Sequence, residues 1–211
     1  TPKPFYKVNN KTILEHSLDI FQDFRAIKKV VIVYNKKHKK YLNKIKLKNT
    51  IKIVGGKTRQ QSTFKALKII RKMNCKKVLI HDSARPLFIE SLLTKGIELL
   101  DDNNGVIPII PIQDTVKKVD SNKVVETLDR NKLYRSQTPQ FFKFNILKKC
   151  IENTSETTNY TDESELLEIN GYQVACINGN LENQKITTQD DLKLLKNFNG
   201  NANFKNGIST D

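Results

Sequence analysis

Apolar runs alternate with amphipathic segments along the first half of the chain. Largely apolar runs at residues 29–34, 77–80 and 105–111 predict buried β-strands, and residues 49–54 predict a further strand. The segments between them repeat apolar residues at helical spacing. The first predicted helix has Thr12 or Asn10 as its cap, with Glu15 at capping-box distance. Because strands and helices alternate, we predict a parallel sheet covered by helices on both faces, a three-layer, Rossmann-like α/β fold.

Residues 113–140 interrupt this alternation. Positions 114–128 alternate apolar and polar residues on either side of Asp120-Ser121-Asn122, which predicts a β-hairpin. Since a two-stranded ribbon is marginal in water on its own, we predict that this segment is a dimerisation arm. The stretch 129–142 has no regular pattern. Beyond it we predict helices at 143–152 and from Thr161, a strand at 172–177, and a last helix from Thr187 or Thr188 to about Phe198.

The composition is that of an ordinary globular domain. With 211 residues and 37% hydrophobic content, the chain is long enough to bury the core of one domain. It contains neither a run of 18 apolar residues nor a signal-like segment, so we predict a cytoplasmic protein without membrane contact. Cys75, Cys150 and Cys176 are far apart and lack metal-ligand spacing, which predicts reduced, buried thiols.

The formal net charge of +15 is compatible with a nucleic-acid-binding module. However, only six of the 37 basic residues are arginine, and the lysines are spread over predicted helices, turns and loops. This distribution indicates a compositional bias rather than a nucleic-acid surface, although it would attract a phosphorylated substrate. Because arginine offers a planar fork that lysine lacks, we assign functional hypotheses to Arg59, Arg85 and Arg130.

Two segments carry candidate chemistry. Gly55-Gly56 joins a predicted strand to a helix, where backbone amides could approach an anion, although many such turns use glycine for geometry alone. The hexapeptide His81-Asp82-Ser83-Ala84-Arg85-Pro86 follows a buried strand, at the sheet edge where α/β proteins bind ligands. Asp82 could hold a metal ion and Arg85 could bind a phosphate, but a strand end followed by a solvated turn remains the alternative.

Taken in order, the motifs resemble those of the 2-C-methyl-D-erythritol 4-phosphate cytidylyltransferases, a family of the non-mevalonate isoprenoid pathway. Each motif alone is weak, whereas the ordered set is specific. The matching stretches are Pro2-Lys3, residues 12–17, Gly55-Gly56 with Arg59 and Ser62, residues 81–86, Asp114-Thr115, Asp129-Arg130, residues 138–141, Thr161-Asp162-Glu163 and residues 185–187.

The resemblance implies transfer of CMP from CTP to methylerythritol phosphate with release of pyrophosphate. Such a reaction needs alignment of two phosphates and cationic stabilisation, which lysine, arginine and Mg²⁺ supply, and it requires no protein nucleophile. The residues that the resemblance implies are, for catalysis, Lys3, Arg130 and Lys185; for the nucleotide, Gly56, Ser62, Asp82, Ser83 and Arg85; for the acceptor, Asp82, Arg85, Thr115, Arg130, Thr138 and Lys185; and for the metal, Asp82.

The resemblance also implies a homodimer, with Arg130 and Thr138 reaching the site from the partner subunit, and no nucleic-acid partner. Lys57 stands where the family commonly has an acidic residue, so its contact with the nucleotide stays open. The family's glycine-rich phosphate loop precedes its Pro-Lys motif, whereas here only Thr1 precedes Pro2-Lys3. We therefore predict that a protein made of these 211 residues alone has little activity.

The last residues suggest a second enzyme. Residues 206–211 resemble the opening strand of 2-C-methyl-D-erythritol 2,4-cyclodiphosphate synthase, to which the cytidylyltransferase is fused in some bacteria. We predict a cytidylyltransferase domain at 1–198, with its arm at about 113–140, and at 199–211 a linker with the possible start of the synthase; an ordinary polar tail is the alternative.

Three other functions compete with this interpretation. The nearest is a cytidylyltransferase for ribitol 5-phosphate or a similar polyol phosphate, which CTP turnover with the two acceptors would separate. A basic nucleic-acid-binding module would show a steep loss of binding with salt. A catalytically inactive interaction domain is disfavoured because Arg85, Arg130 and Lys185 occur together.

Overall fold

The computed structural model describes residues 1–155, 158–188 and 190–192, and it confirms an α/β fold. The strands are β1 (Lys7–Val8), β2 (Lys11–Thr12), β3 (Val30–Tyr34), β4 (Thr50–Val54), β5 (Lys77–Ile80), β6 (Gly105–Pro111), β7 (Val116–Asp120), β8 (Lys123–Leu128), β9 (Tyr134–Ser136), β10 (Gln140–Lys143) and β11 (Ala175–Asn178). The helices are α1 (Ile13–Asp23), α2 (Lys39–Leu42), α3 (Arg59–Arg71), α4 (Glu90–Leu99), α5 (Phe144–Asn153) and α6 (Glu163–Ile169).

The central sheet is mixed, so the prediction of a fully parallel sheet is wrong. Its order is β11-β6-β10-β5, with β9 also paired to β6, while β3 and β4 form a separate parallel pair. Strand β11 runs parallel to β6, but β10 is antiparallel to both β5 and β6. The reason is that the chain reverses direction after β6, through the β7–β8 hairpin, and returns along β6 as β9 and then β10, which lies between β5 and β6.

Strand β10 supplies the centre of the core. Phe141 and Phe142 are both 0% exposed and, because side chains alternate along a strand, they point to opposite faces of the sheet. Phe142 packs in a cluster with residues of α5 and α6, and Phe141 in another with residues of α1 and α4. A Cβ at Gly96 in α4 would collide with the Phe141 ring, so glycine allows this close approach. Helices therefore cover both faces, which confirms the three layers.

The local predictions near the chain start and in the arm are confirmed. The Thr12 hydroxyl accepts from the Glu15 amide, and the Glu15 carboxylate accepts from the Thr12 amide, completing the capping box of α1. Strands β7 and β8 form the expected hairpin, whose turn residues Ser121 and Asn122 have positive φ. The hairpin is the exposed arm; its role in dimerisation stays a prediction.

Two other local predictions need correction. The lysine-rich segment 36–48 is not one long helix, since it forms a 3₁₀ turn at Lys36–His38 and the four-residue α2 before the chain turns to bury Leu42 and Ile45. Cys150 is buried as predicted, whereas Cys176 is exposed because β11 is an edge strand of the sheet. None of the helices within the described ranges is long and apolar enough to cross a membrane.

Thr188 caps the start of the last predicted helix, because its hydroxyl accepts from the Asp191 amide at 3.2 Å. The predicted continuation to Phe198 lies outside the described residues. The linker and the possible start of a synthase at 199–211 lie outside them as well.

Candidate functional site

Three distant segments meet where β5 ends. The segment 183–187 runs beside residues 81–86, and the Ile186 amide donates to the Ala84 carbonyl at 2.8 Å. Lys185 places its Nζ 3.0 Å from Asp82 Oδ2. The Lys3 ammonium, from the chain start, donates to the Thr187 carbonyl. The structure therefore brings Lys3, Asp82 and Lys185, all predicted site residues, to one edge of the sheet.

The Asp82 carboxylate lies between two cations. Its Oδ2 is 3.0 Å from Lys185 Nζ and 3.6 Å from Arg85 Nε. Burial alone would raise the pKa of Asp82, but the hydrogen bond and charge of Lys185, together with the charge of Arg85, outweigh it and lower that pKa. The side chain remains 31% exposed. Asp82 is thus an ionised carboxylate that a ligand can reach.

Arg85 is held by the main chain around it. The side chain is 14% exposed, and its guanidinium donates to the carbonyls of Asn183 at 2.8 Å and Ser136 at 3.4 Å. Its Nε is buried without a hydrogen-bond acceptor and faces Asp82. The guanidinium is therefore fixed in orientation before any ligand arrives.

Thr138 and His81 connect the hexapeptide to the turn before β10. The Asp82 amide donates to Thr138 Oγ1 at 3.0 Å, and Thr138 Oγ1 lies 3.0 Å from His81 Nδ1. His81 Nε2 lies 3.0 Å from the Arg85 carbonyl. Burial lowers the pKa of His81 to about 4, so the ring is neutral at neutral pH. Thr138, which the resemblance places in the partner subunit's site, thus contacts the Asp82 amide of its own chain.

Gln137 and Asn183 complete the site, and sequence reasoning missed both. Gln137 is 2% exposed; its amide donates to the carbonyls of Asn180 and Asn183, and its oxygen accepts from the Asn180 amide. Asn183 is 0% exposed and donates from Nδ2 to the Thr138 carbonyl at 2.8 Å. These two side chains join the segment carrying Lys185 to the turn carrying Thr138. The one sequence signal for these two residues is that each is a polar residue close to a predicted site residue, Gln137 next to Thr138 and Asn183 near Lys185.

The glycine turn forms a second part of the site. The Gly56 amide donates to Ser62 Oγ at 3.0 Å, which closes the turn onto the first residues of α3. A Cβ on Gly56 would lie 3.0 Å from the Gln61 carbonyl carbon, so the turn requires glycine. Beside it is an open hollow of about 370 Å³, lined by Gly55 and Gly56 together with Asn35, Lys36, Val54, Lys57, Gln61 and Lys65. Three lysines and open backbone make this hollow suitable for an anionic ligand.

Arg59 has a structural partner. Its guanidinium forms an ion pair with Glu163, whose carboxylate is 0% exposed and also accepts from the Thr63 hydroxyl at 3.0 Å. Burial raises the pKa of Glu163, and the charge of Arg59 opposes that shift. The pair ties the start of α3, and so the glycine turn, to α6. Arg59 therefore supports the glycine turn through Glu163, and the structure does not place it as a ligand-binding residue.

The arm carries two other predicted residues. Thr115 and Arg130 are both exposed, and the Arg130 guanidinium donates to the Gln113 carbonyl at 2.5 Å, within the arm itself. Ser83, also predicted, lies in the hexapeptide, where its carbonyl accepts from the Ser17 hydroxyl at 2.9 Å. Thr115 and Arg130 are thus exposed on the arm, whereas the hexapeptide is held by hydrogen bonds to other segments of the chain.

Asp82 is the predicted metal ligand. No group of three or more potential His, Cys, Asp or Glu ligands lies together among the residues that the structure describes. A single carboxylate fits Mg²⁺, which commonly keeps several waters and binds one or two carboxylates together with substrate phosphates. The exposed face of Asp82 could therefore hold Mg²⁺ jointly with a phosphorylated ligand.

Comparisons with known proteins agree with this geometry. The family model of the 2-C-methyl-D-erythritol 4-phosphate cytidylyltransferases matches residues 1–198. The bifunctional enzyme IspD/IspF of Pelagibacter ubique is 42% identical over the whole chain, which spans 54% of that protein. The cytidylyltransferase of Wigglesworthia glossinidia brevipalpis is 40% identical over 95% of the chain and 88% of its own length.

Solved structures show the same fold. The 2-C-methyl-D-erythritol 4-phosphate cytidylyltransferase of Francisella tularensis superposes with a TM-score of 0.81 at 31% identity, over 92% of this chain and 91% of that one. The bifunctional IspDF of Campylobacter jejuni gives a TM-score of 0.77 at 30% identity, over 91% of this chain and 48% of that protein.

Proposed function

Because the chain belongs to the 2-C-methyl-D-erythritol 4-phosphate cytidylyltransferase family, we propose that it carries the CMP-transferring active site of that family. The reaction moves CMP from CTP to 2-C-methyl-D-erythritol 4-phosphate and releases pyrophosphate. The observation that carries the proposal is the Asp82 carboxylate held between Lys185 and Arg85 at the end of β5. The relatives do not favour ribitol 5-phosphate as the acceptor or a nucleic-acid-binding function.

The chain's own groups provide binding and charge. An oxygen of the acceptor's phosphate attacks the α-phosphorus of CTP, a new P–O bond forms, and the bond to the pyrophosphate leaving group breaks. Lys3 and Lys185 neutralise negative charge that builds up on the phosphoryl oxygens, and the fixed Arg85 orients a ligand beside Asp82. Bound Mg²⁺, held by Asp82 with the nucleotide phosphates, would supply further charge neutralisation.

The glycine turn is the proposed place of the nucleotide's base and ribose. Gly56 keeps the backbone open to the ligand, and Ser62 holds the turn in shape by accepting from the Gly56 amide. Ser83 would lie near the ribose with Asp82. The three lysines of the hollow would attract the triphosphate.

We further propose a homodimer formed through the arm. Val119, Val124 and Val125 on the hairpin are 57%, 63% and 61% exposed, an apolar surface that a second copy could cover. Thr115 and Arg130 lie on this arm, and Arg130 would contact the acceptor phosphate in the partner's site. Sedimentation of Val124→Asp/Val125→Asp should show monomers where the unaltered protein forms dimers; unchanged dimers would contradict this use of the arm.

The location and the context in a longer protein remain proposals too. The free thiols among the described residues are compatible with the proposed cytoplasmic location. The bifunctional relative supports a second enzyme beyond residue 198. Reading the gene beyond the codon for Asp211 tests this, because the synthase requires a histidine two residues after its zinc-binding aspartate.

The activity test uses protein made from the full-length gene. We expect pyrophosphate release from CTP with methylerythritol phosphate and little with ribitol 5-phosphate. Lys185→Ala should lower the turnover about 100-fold, since a cationic stabiliser is lost, whereas Lys148→Ala on the surface of α5 should leave it unchanged. Equal turnover in both variants would refute the proposed site.

A further inference from the structure

His81 has no role in the reaction as described so far, yet it lies at the centre of the hexapeptide's hydrogen bonds. Its ring packs against Phe21 and Phe88, with ring centroids 5.0 Å and 4.6 Å away. The two aromatic rings fix the plane of the imidazole. Both of its nitrogens therefore point in set directions, one to Thr138 and one to the Arg85 carbonyl.

The partners determine which nitrogen carries the proton. The Arg85 carbonyl can only accept, so Nε2 must donate to it, and in the neutral ring Nδ1 is then bare. Nδ1 accepts from the Thr138 hydroxyl, and that hydroxyl's oxygen accepts from the Asp82 amide. The hydrogen bonds form a one-way series from the Asp82 amide to the Arg85 carbonyl.

This series holds both ends of one turn. The Arg85 amide donates to the Asp82 carbonyl at 2.9 Å, which makes residues 82–85 a closed turn. His81 holds the Asp82 end through Thr138 and the Arg85 end directly. The two side chains that face the ligand thus project from a backbone that one imidazole restrains at two points.

We propose that His81 is a positioning residue of the cytidylyl-transfer site, which aims Asp82 and Arg85 through its Nδ1 bond from Thr138 and its Nε2 bond to the Arg85 carbonyl. The inference rests on the proposed function. It assigns His81 no contact with the substrate. Its action is to set the geometry of two groups that have such contact.

Four variants of the full-length protein separate this role from simple packing. His81→Phe keeps the aromatic contacts and removes both nitrogens, while His81→Asn can keep an acceptor near the Nδ1 position. Thr138→Val removes the hydroxyl that Thr138→Ser retains. His38→Gln is the control, because His38 also packs against an aromatic ring, that of Phe5, but lies outside the site.

We expect kcat/KM per folded molecule to fall about tenfold in His81→Phe and in Thr138→Val, since each loses a hydrogen bond of the series. His81→Asn and Thr138→Ser should recover most of the activity, and His38→Gln should match the unaltered enzyme. The double variant His81→Phe/Thr138→Val should lose less than the product of the two single losses, because both substitutions remove the bond between Thr138 and Nδ1. Losses that multiply, or full activity in folded His81→Phe, would overturn the inference.

The ring itself gives a measurement that does not depend on activity. Nitrogen-15 NMR of the His81 imidazole should show Nε2 protonated and Nδ1 bare. Thr138→Val should change the Nδ1 signal of His81 and leave the signals of His38 unchanged. A protonated Nδ1 would overturn the positioning role whatever the activity. An unaltered enzyme that transfers no CMP, with this tautomer present, would instead overturn the proposed function.

Discussion

Arg85 and Arg130 received the same functional hypothesis from the sequence, but they lie in different surroundings: Arg85 is largely buried and Arg130 is exposed. Arg85 lies 14% exposed in a network of main-chain carbonyls, with Asp82 at 3.6 Å. Arg130 lies on an exposed arm and bonds only within the described part of that arm, to the Gln113 carbonyl. Contacts within the chain thus fix the orientation of Arg85, whereas Arg130 is exposed on the arm, where a second protein surface could contact it.

The type of a residue and its surroundings are therefore separate kinds of information. Where main-chain carbonyls hold a guanidinium, removing it changes the stability of the fold as well as the chemistry. Where it stands on an exposed ribbon, removing it changes only what it binds. The predictions below test that division, each with a variant in the pocket and a matched one elsewhere.

The largest effect is expected for Arg85→Ala. We expect turnover to fall at least about 100-fold and the free energy of unfolding to fall by about 2 kcal/mol, because two carbonyls lose a charged donor. Arg130→Ala should also lower turnover but keep the free energy of unfolding within about 0.5 kcal/mol. Urea unfolding and CTP turnover measure both. Equal losses of stability in the two variants would contradict this difference. Arg71→Ala, at the exposed end of α3, controls for arginine removal alone.

A smaller effect is expected for the buried amides. Gln137→Ala leaves the Asn180 amide and two carbonyls without their side-chain partner, so we expect a loss of about 2 kcal/mol in the free energy of unfolding. Gln113→Ala, on the exposed arm, should change it by less than about 0.5 kcal/mol. Thermal or urea unfolding gives the values. A Gln137→Ala protein as stable as Gln113→Ala would contradict the view that the pocket is held by its polar interior.

The smallest effect concerns pH. Burial would raise the pKa of Asp162, but hydrogen bonds from the Glu165 amide, Ser164, Gln140 and Ser136 outweigh it, so the pKa lies below its usual 3.8. The ionised carboxylate therefore stabilises the fold above pH 3.8, and this contribution is lost as the pH falls through the lowered pKa.

Asp162→Asn tests this shift. The substitution should lower the free energy of unfolding at pH 7 by less than about 1 kcal/mol, because asparagine still caps α6. The difference from the unaltered protein should shrink in acid below the usual pKa. Asp120→Asn in the hairpin turn is the matched control from the arm. A difference that grows on acidification would show that the sign of the shift is wrong.

Much of the fold follows from the sequence because its signals are local. The capping box at Thr12, the glycine turn and the hairpin each depend on a few adjacent residues, and all three are confirmed. The place of β10 could not be predicted in this way. Phe141-Phe142 is too short an apolar run to identify a central strand, and its antiparallel insertion depends on partners about 36 and 62 residues away.

The candidate site divides along the same line. Asp82, Arg85 and Lys185 could be named from sequence because charged groups in an ordered set of motifs stand out. Gln137 and Asn183 could not, since a buried amide and an exposed one look the same in a sequence. The sequence suggests Arg59 as a functional residue because of its planar guanidinium, and the structure shows that this guanidinium forms an ion pair with Glu163.

The long reach of the bonds that close the pocket has a kinetic consequence. The Lys3 ammonium and the Thr187 carbonyl are 184 positions apart in sequence, and Arg85 and Asn183 are 98 apart. Closing such loops requires most of the chain to be in place, so we expect these contacts to form late during folding, after the local helices and the hairpin. A chain emerging from the ribosome would then acquire its ligand site only after Thr187 has been synthesised and can contact Lys3.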